Sequence, residues 1–154
     1  MTEAGLDDGY GLGRFVEAQD SGGTGGSVYQ DALAELRRGR KTSHWMWFVF
    51  PQVAGLGQSA TSRRYAIASL AEAQAYLRHP VLGARLAAAA RVLTERPGGD
   101  ADQIFGGLDA QKLRSSMTLF HRADPDEPVF GQVLAQYFGG QPDPVTDRLL
   151  GQAG

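Results

Sequence analysis

The chain has 154 residues, 42% of them hydrophobic, and a formal net charge of −2, which describes one globular domain with its own core and excludes a disordered chain. It has no cysteine, which excludes disulfides, thiolate metal sites and a cysteine nucleophile. No apolar run reaches the roughly 18 residues of a membrane helix. The opening Met1 to Asp8 is acidic and polar, without a signal pattern, so a cytoplasmic protein with no membrane partner is expected.

The near-neutral total hides a division. From Leu36 to Ala71 there is no Asp or Glu, while Arg37, Arg38, Arg40, Lys41, Arg63 and Arg64 all fall there. Charge of one sign focuses a field that draws a counter-charged ligand, although a solvated basic surface has the same composition.

Residues 1–11 lack periodicity and read as a flexible tail. Leu12, Phe15 and Val16 predict a short helix ending near Gln19. Ser21 to Gly26 holds four glycines and reads as a flexible loop; the strand and the Gly-Lys-Ser/Thr ending of a phosphate loop are missing. Ser27 and Gln30 form a capping box, and Tyr29, Ala32, Leu33 and Leu36 make one helical face that ends at Gly39. Thr42 or Ser43 is placed to cap the aromatic segment after it, which Pro51 stops. Val53 to Ser59 reads as a loop and Thr61 to Ala68 as a short helix.

Ser69 and Glu72 form a second capping box for a helix through Leu77, broken at His79-Pro80. Pro80 suits the first position of the next helix, whose buried stripe is Leu82, Leu86, Ala89, Ala90 and Leu93. Arg96-Pro-Gly-Gly99 is a stop, and Ile104-Phe105 a short apolar anchor. Asp109 is expected to cap a helix with Leu113, Met117 and Phe120 inward. Phe130, Val133, Leu134 and Tyr137 repeat the helical pattern up to Gly139-Gly140. Asp143-Pro144 opens a last helix to Leu150, leaving 151–154 as a tail. The sum is an all-α, compact single domain over 12–150 with seven to eight short and medium helices. Only Trp45 to Phe50 could equally be read as a strand.

The run Ser43-His-Trp-Met-Trp-Phe-Val-Phe-Pro-Gln52 carries both tryptophans and one of three histidines. As a helix it would place Ser43, Trp47 and Phe50 on one face and His44 and Phe48 on another. Aromatics on more than one face mean a segment that is surrounded or that borders a cavity. Indole N–H and imidazole groups need partners when buried. The plain reading is core packing; the sharper one is a pocket with aromatic walls and a few polar groups.

A second cluster is Lys112-Leu-Arg-Ser-Ser-Met-Thr118. Ser115, Ser116 and Thr118 suit a helix interior only if their hydroxyls bond back to carbonyls or out to a ligand. Lys112 and Ser116, one turn apart, could be base and nucleophile or an anion site; small residues at a helix crossing explain them as well. His44, His79 and His121 have no ligand spacing, so no metal is expected, and no motif calls for a cofactor. Arginines followed by aromatics could track and stack a nucleic acid, but a pI near 5.9 ranks that below a small anion.

Together, Ala34 to Gln52, Gly55-Leu-Gly57, Tyr65-Ala-Ile67, Tyr76 to Gly83, Ile104-Phe-Gly106, Lys112 to Phe120 and Tyr137-Phe-Gly139 cover nearly all of 12–150. In these motifs the chain resembles the bacterial family known as domain of unknown function 1810. The glycine-rich Ser21 to Gly26 segment departs from it as an insertion. The resemblance implies a small helical cytoplasmic domain and supplies no activity; some members carry the label calpastatin, but no inhibitory repeat is present here. Carried over by motif, a family site would lie at Lys41, Ser43, His44, Trp45, Trp47, Gln52, Tyr65, Lys112, Ser115 and Ser116.

The expected function is binding of a small anionic, nucleotide-like or phosphorylated ligand. Trp45 or Trp47 would stack its ring, Lys41, Arg64 or Lys112 would pair with its charge, and His44 or Ser116 would orient it. His44 could also be a general acid or base. The alternatives are an interaction module without catalysis, whose protein partner the sequence does not name, and nucleic-acid binding. The pocket reading requires His44, both tryptophans and the Lys112 helix to converge on one solvent-connected cavity.

Overall fold

Nine α-helices form among the described residues, which are 8–22 and 26–153 of the computed structural model. They are α1 (Gly13–Asp20), α2 (Val28–Arg38), α3 (Met46–Val49), α4 (Ala60–Arg64), α5 (Leu70–Arg78), α6 (Leu82–Glu95), α7 (Ala101–Ala123), α8 (Pro128–Phe138) and α9 (Pro144–Ala153). The fold is all-α; among the described residues the β structure is one isolated parallel bridge, Val53 to Ile67. The reading of residues 1–7 as a tail and of 23–25 as loop lies outside the described residues. A 3-10 turn occupies Asp8–Tyr10, and α9 runs past Leu150 to Ala153.

The capping signals set most boundaries. Ser27 accepts from the Gln30 backbone N–H at 3.1 Å, and Ser69 from that of Glu72 at 3.1 Å. Asp143 accepts from the Thr146 N–H at 3.0 Å. Each occupies one of the orphan donors of a first turn.

Five local expectations differ from the structure. The aromatic run forms a single turn, α3, whose N-cap position falls on Trp45 and has no side-chain cap; Ser43, two residues earlier, gives its hydroxyl to Glu35 instead. The Thr61 to Ala68 helix stops at Arg64: Ile67 instead exchanges backbone bonds with the 52–54 strand-like segment, its N–H on Gln52 O and its carbonyl accepting from Ala54, both at 2.8 Å. Helix α6 starts two residues after Pro80, and His79 Nδ1 accepts from the N–H groups of Val81 and Leu82 at 3.1 and 3.2 Å. Asp109 is interior to α7, which Asp100 caps. Ile104 and Phe105 belong to the opening turns of α7, and the chain breaks helical geometry at Gly106 (φ 78°, ψ 163°) before continuing.

Helix α7 is the centre. It packs on α5, α8 and α9, while α6 joins α2, α5 and α8. An aromatic ladder runs through the core from Phe15 to Tyr76 (5.1 Å), Phe120 (5.3 Å) and Phe130 (6.0 Å), tying α1, α5, α7 and α8 together. Arg14 of α1 fastens the segment after α4. Its guanidinium donates to the carbonyls of Arg64 (2.6 Å) and Ala66 (2.8 Å) and pairs with the buried Glu72 at 3.1 Å.

Gly39 ends α2 with φ 79°, and a Cβ there would lie 2.3 Å from Arg96 Nη2. The Arg96 guanidinium donates to Arg37 O at 2.8 Å in that space. Gly39→Ala is expected to cost about 1–3 kcal/mol, from the left-handed backbone and the displaced guanidinium. In an Arg96→Ala background the cost should shrink toward the backbone part alone; equal costs in both backgrounds, measured by urea denaturation, would show that Arg96 plays no part.

Candidate functional site

The site begins with a carboxylate that the apolar face of α2 buries. Glu35 is 5% exposed. It accepts from the backbone N–H groups of Thr42 (2.7 Å) and Ser43 (3.0 Å), from the Ser43 hydroxyl, and from Trp45 Nε1 at 2.9 Å. Burial pushes its pKa up, but the hydrogen bonds from Ser43, Thr42 and Trp45 outweigh that and bring it to about 2. The connection after α2 is thereby folded over the carboxylate, and Trp45 becomes fully buried core against Phe50 and Phe105.

Lys41 stands beside this loop. Its Nζ donates to Ser43 O at 2.6 Å, pairs with Asp109 Oδ2 at 2.8 Å and lies 5.1 Å from the Trp45 ring centre. Asp109 binds a second cation through its other oxygen, Lys112 Nζ at 3.1 Å, and that ammonium sits 5.4 Å from the ring centre of Trp47. Burial raises the Asp109 pKa, and hydrogen bonds and charge from both lysines more than offset it, so it is held below its ordinary value. Asp109 thus bridges Lys41, turned to the core, and Lys112, turned to a cleft.

That cleft has a volume of about 460 Å³. Its walls are Trp47 of α3, the segment Gln52 to Gly57, Ser62 and Arg63 of α4, Tyr65 and Ala66, the α7 residues Leu108, Gln111, Lys112 and Ser115, and Asp143 and Val145 at the start of α9. Apolar and aromatic surface dominates, with a few polar groups between, as ligand sites require. Arg63 is exposed and has no ion pair among the described residues. Leu108, 83% exposed, stands at the rim. At the inner wall Ser115 Oγ lies 2.8 Å from Thr146 Oγ1, which donates to Asp143 at 2.6 Å.

A family model described as protein of unknown function (DUF1810) matches residues 9–150. The chain belongs to that family. It is also similar to a solved structure, the conserved hypothetical protein Rv1873 from Mycobacterium tuberculosis, with 48% sequence identity, a TM-score of 0.87, and coverage of 94% of this chain and 99% of the other. No curated protein matches the chain. The DUF1810 relationship carries the fold without an activity, so the chemistry has to be read from the side chains.

Of the residues singled out in the sequence, this DUF1810 domain brings Trp47, Gln52, Tyr65, Lys112 and Ser115 to the cleft. The rest stand elsewhere. Trp45, Ser43 and Lys41 form the Glu35 and Asp109 network behind the wall. Arg64 lies over Tyr65, 5.6 Å from its ring centre, and does not line the cleft. Ser116 is fully buried and its hydroxyl has no partner among the described residues; the Lys112–Ser116 pair does not assemble in the cleft. His44 is exposed and outside the lining. The four-way convergence required above is not met: only Trp47 and the Lys112 helix reach the cleft, so the pocket drawn from the sequence around His44 and both tryptophans fails, and what the structure offers is a smaller cleft on Trp47, Tyr65 and Lys112.

The sequence alone does not bring Glu35 to the site, places Asp109 and Asp143 only as helix caps, and marks Arg63 only as part of the basic stretch. Glu35 had a signal: it sits three residues after Ala32 on the buried stripe of α2, just before an acid-free stretch rich in unpaired donors. Among the described residues no group of three or more His, Asp or Glu is arranged to hold a metal, and no helix is long and apolar enough to cross a membrane.

Glu35 makes stability depend on acid. Its folded pKa lies below its ordinary 4.5, so its contribution is complete above 4.5 and disappears as pH falls toward about 2. The difference corresponds to about 3 kcal/mol. Glu35→Gln should lose about that much at pH 7 and show a flatter decline below pH 4.5; parallel wild-type and variant curves in urea denaturation from pH 7 to pH 2 would refute the role.

Proposed function

We propose that the cleft binds a small planar anion, nucleotide-like or phosphorylated, and that the protein is a ligand-binding domain rather than a catalyst. The observation that carries this reading is the pairing of an aromatic face with a cation at the same opening: Lys112 over Trp47, with Arg63 across the same cleft. Trp47 and Tyr65 supply surfaces for a ring, and Gln52 and Gln111 supply amides that fix its orientation. Catalysis by His44 has no place in the reading, because that side chain stands outside the lining. A cytoplasmic setting accompanies it. The exposed Leu108 at the rim favours, as a second reading, a protein partner that inserts an apolar side chain into the same cleft.

The test is thermal shift against nucleoside monophosphates, sugar phosphates and aromatic carboxylates, followed by titration of tryptophan fluorescence. A binder is expected to raise the melting temperature at millimolar concentration, since it engages only the folded state. It should quench Trp47, and Trp47→Phe should lose that signal. Lys112→Met and Arg63→Ala should each weaken binding by about tenfold, the size of a charge-assisted hydrogen bond. No shift with any anion, or binding indifferent to both substitutions, would abandon the small-anion reading in favour of the protein partner.

A further inference from the structure

The hydroxyl hydrogens at the inner wall of the cleft are already committed, and this decides which chemical edge a ligand can present there. Thr146 is fully buried, and its Oγ1 lies 2.6 Å from Asp143 Oδ2. A carboxylate accepts, so Thr146 donates its one hydroxyl hydrogen to it. Ser115 Oγ lies 2.8 Å from Thr146 Oγ1. With the Thr146 hydrogen spent, that bond exists only if Ser115 is the donor. Ser115, a lining residue that is itself only 2% exposed, therefore has lone pairs and no hydrogen to offer at the inner wall. Gln111 is oriented by the same carboxylate: one N–H of its amide donates to Asp143 Oδ1 at 3.2 Å, which leaves its carbonyl oxygen as an acceptor beside the second N–H. Three neighbouring lining groups thus accept at the inner wall, while the donors of the lining are the cations Lys112 and Arg63 together with the Trp47 indole N–H, the Gln52 amide and the Tyr65 hydroxyl.

Resting on the small-anion reading above, we propose that this wall selects a ligand whose ring edge donates: a planar anion bearing an amino group, such as a nucleoside monophosphate with an exocyclic amine. Lys112 and Arg63 take the anionic end and Ser115 receives the N–H. A ligand with a carbonyl at that edge would set acceptor against acceptor, or would force Ser115 to abandon Thr146. Sites built around one hydrogen-bond polarity reject the mismatched analogue far more strongly than apolar pockets reject a changed methyl group.

Calorimetric titration with matched pairs tests this: adenosine against inosine monophosphate, and cytidine against uridine monophosphate. The amino member of at least one pair is expected to bind about tenfold tighter or more. Ser115→Ala should weaken the amino member and leave the oxo member unchanged; Thr146 keeps its bond to Asp143 in that variant, and circular dichroism checks the fold. Thr146→Val frees the Ser115 hydrogen to point into the cleft, so it should strengthen the oxo member and narrow the ratio. Equal binding of the members of both pairs, tighter binding of the oxo members, or a ratio untouched by Ser115→Ala overturns the inference while the anion reading stands. Absence of binding by all four overturns the anion reading for nucleotides, and this inference with it.

Discussion

A buried carboxylate with four hydrogen bonds organises everything behind the cleft. Removing Glu35 from water is costly unless its oxygens are satisfied. The chain satisfies them by folding residues 42–45 across the end of α2. That path aims the Trp45 indole at the carboxylate and commits the ring to the core. The single turn of α3 then brings Trp47, two residues on, to the cleft side. Lys41, pinned between the Ser43 carbonyl and Asp109, extends the same network to α7. Charge alternates along this line from Glu35 through Lys41 and Asp109 to Lys112. A change at one end leaves a charge or donor unpaired at the next, so these residues act as a unit.

The two walls of the cleft are built differently. One is α7, a long helix packed on three neighbours. The other consists of α3, α4 and the segment between them, and helical turns of four and five residues have no stability of their own. They are held by side chains reaching to backbone groups: Gln19 Nε2 on Phe48 O at 2.7 Å, Arg14 on the carbonyls of Arg64 and Ala66, and Ser59 capping α4.

Helices with an apolar stripe and a capping residue were legible in the sequence because both signals are local. Thus α2, α5, α8 and the start of α9 follow from spacing and caps, and α6 from its apolar stripe alone. What failed to show was what depends on distant partners. Thr61 to Ala68 has helical composition, yet Ile67 is recruited by the 52–54 segment. Asp109 has the chemistry of a cap and is instead drawn into an ion pair with a lysine 68 residues earlier in the chain. In the site, aromatic content drew attention to Ser43 to Gln52, where Trp45 lies in the core and Trp47 and Gln52 line the cleft. It could not say which tryptophan faced which way, because that is set by Glu35, outside the run. The pairing of Trp47 with Lys112 combines two segments that each looked unusual; Asp143 reads in the sequence only as a helix cap and joins the cleft by position.

The acid-free stretch from Leu36 to Ala71 also divides once folded. Arg37, Arg38 and Arg40 are exposed at the end of α2 and do not line the cleft. Lys41 is consumed by Asp109. Two lysines on one aspartate leave a single positive charge beside Trp47; Arg63 adds another and Asp143 removes one. A cleft with so small an excess of positive charge offers little to a polyphosphate, whose extra negative charges would lie unpaired against the Asp143 carboxylate. The proposed ligand would accordingly carry one or two negative charges and draw its remaining affinity from ring contact with Trp47 and Tyr65. The proposed ligand is therefore limited as much by the aspartate within the cleft as by the cations that first drew attention to it.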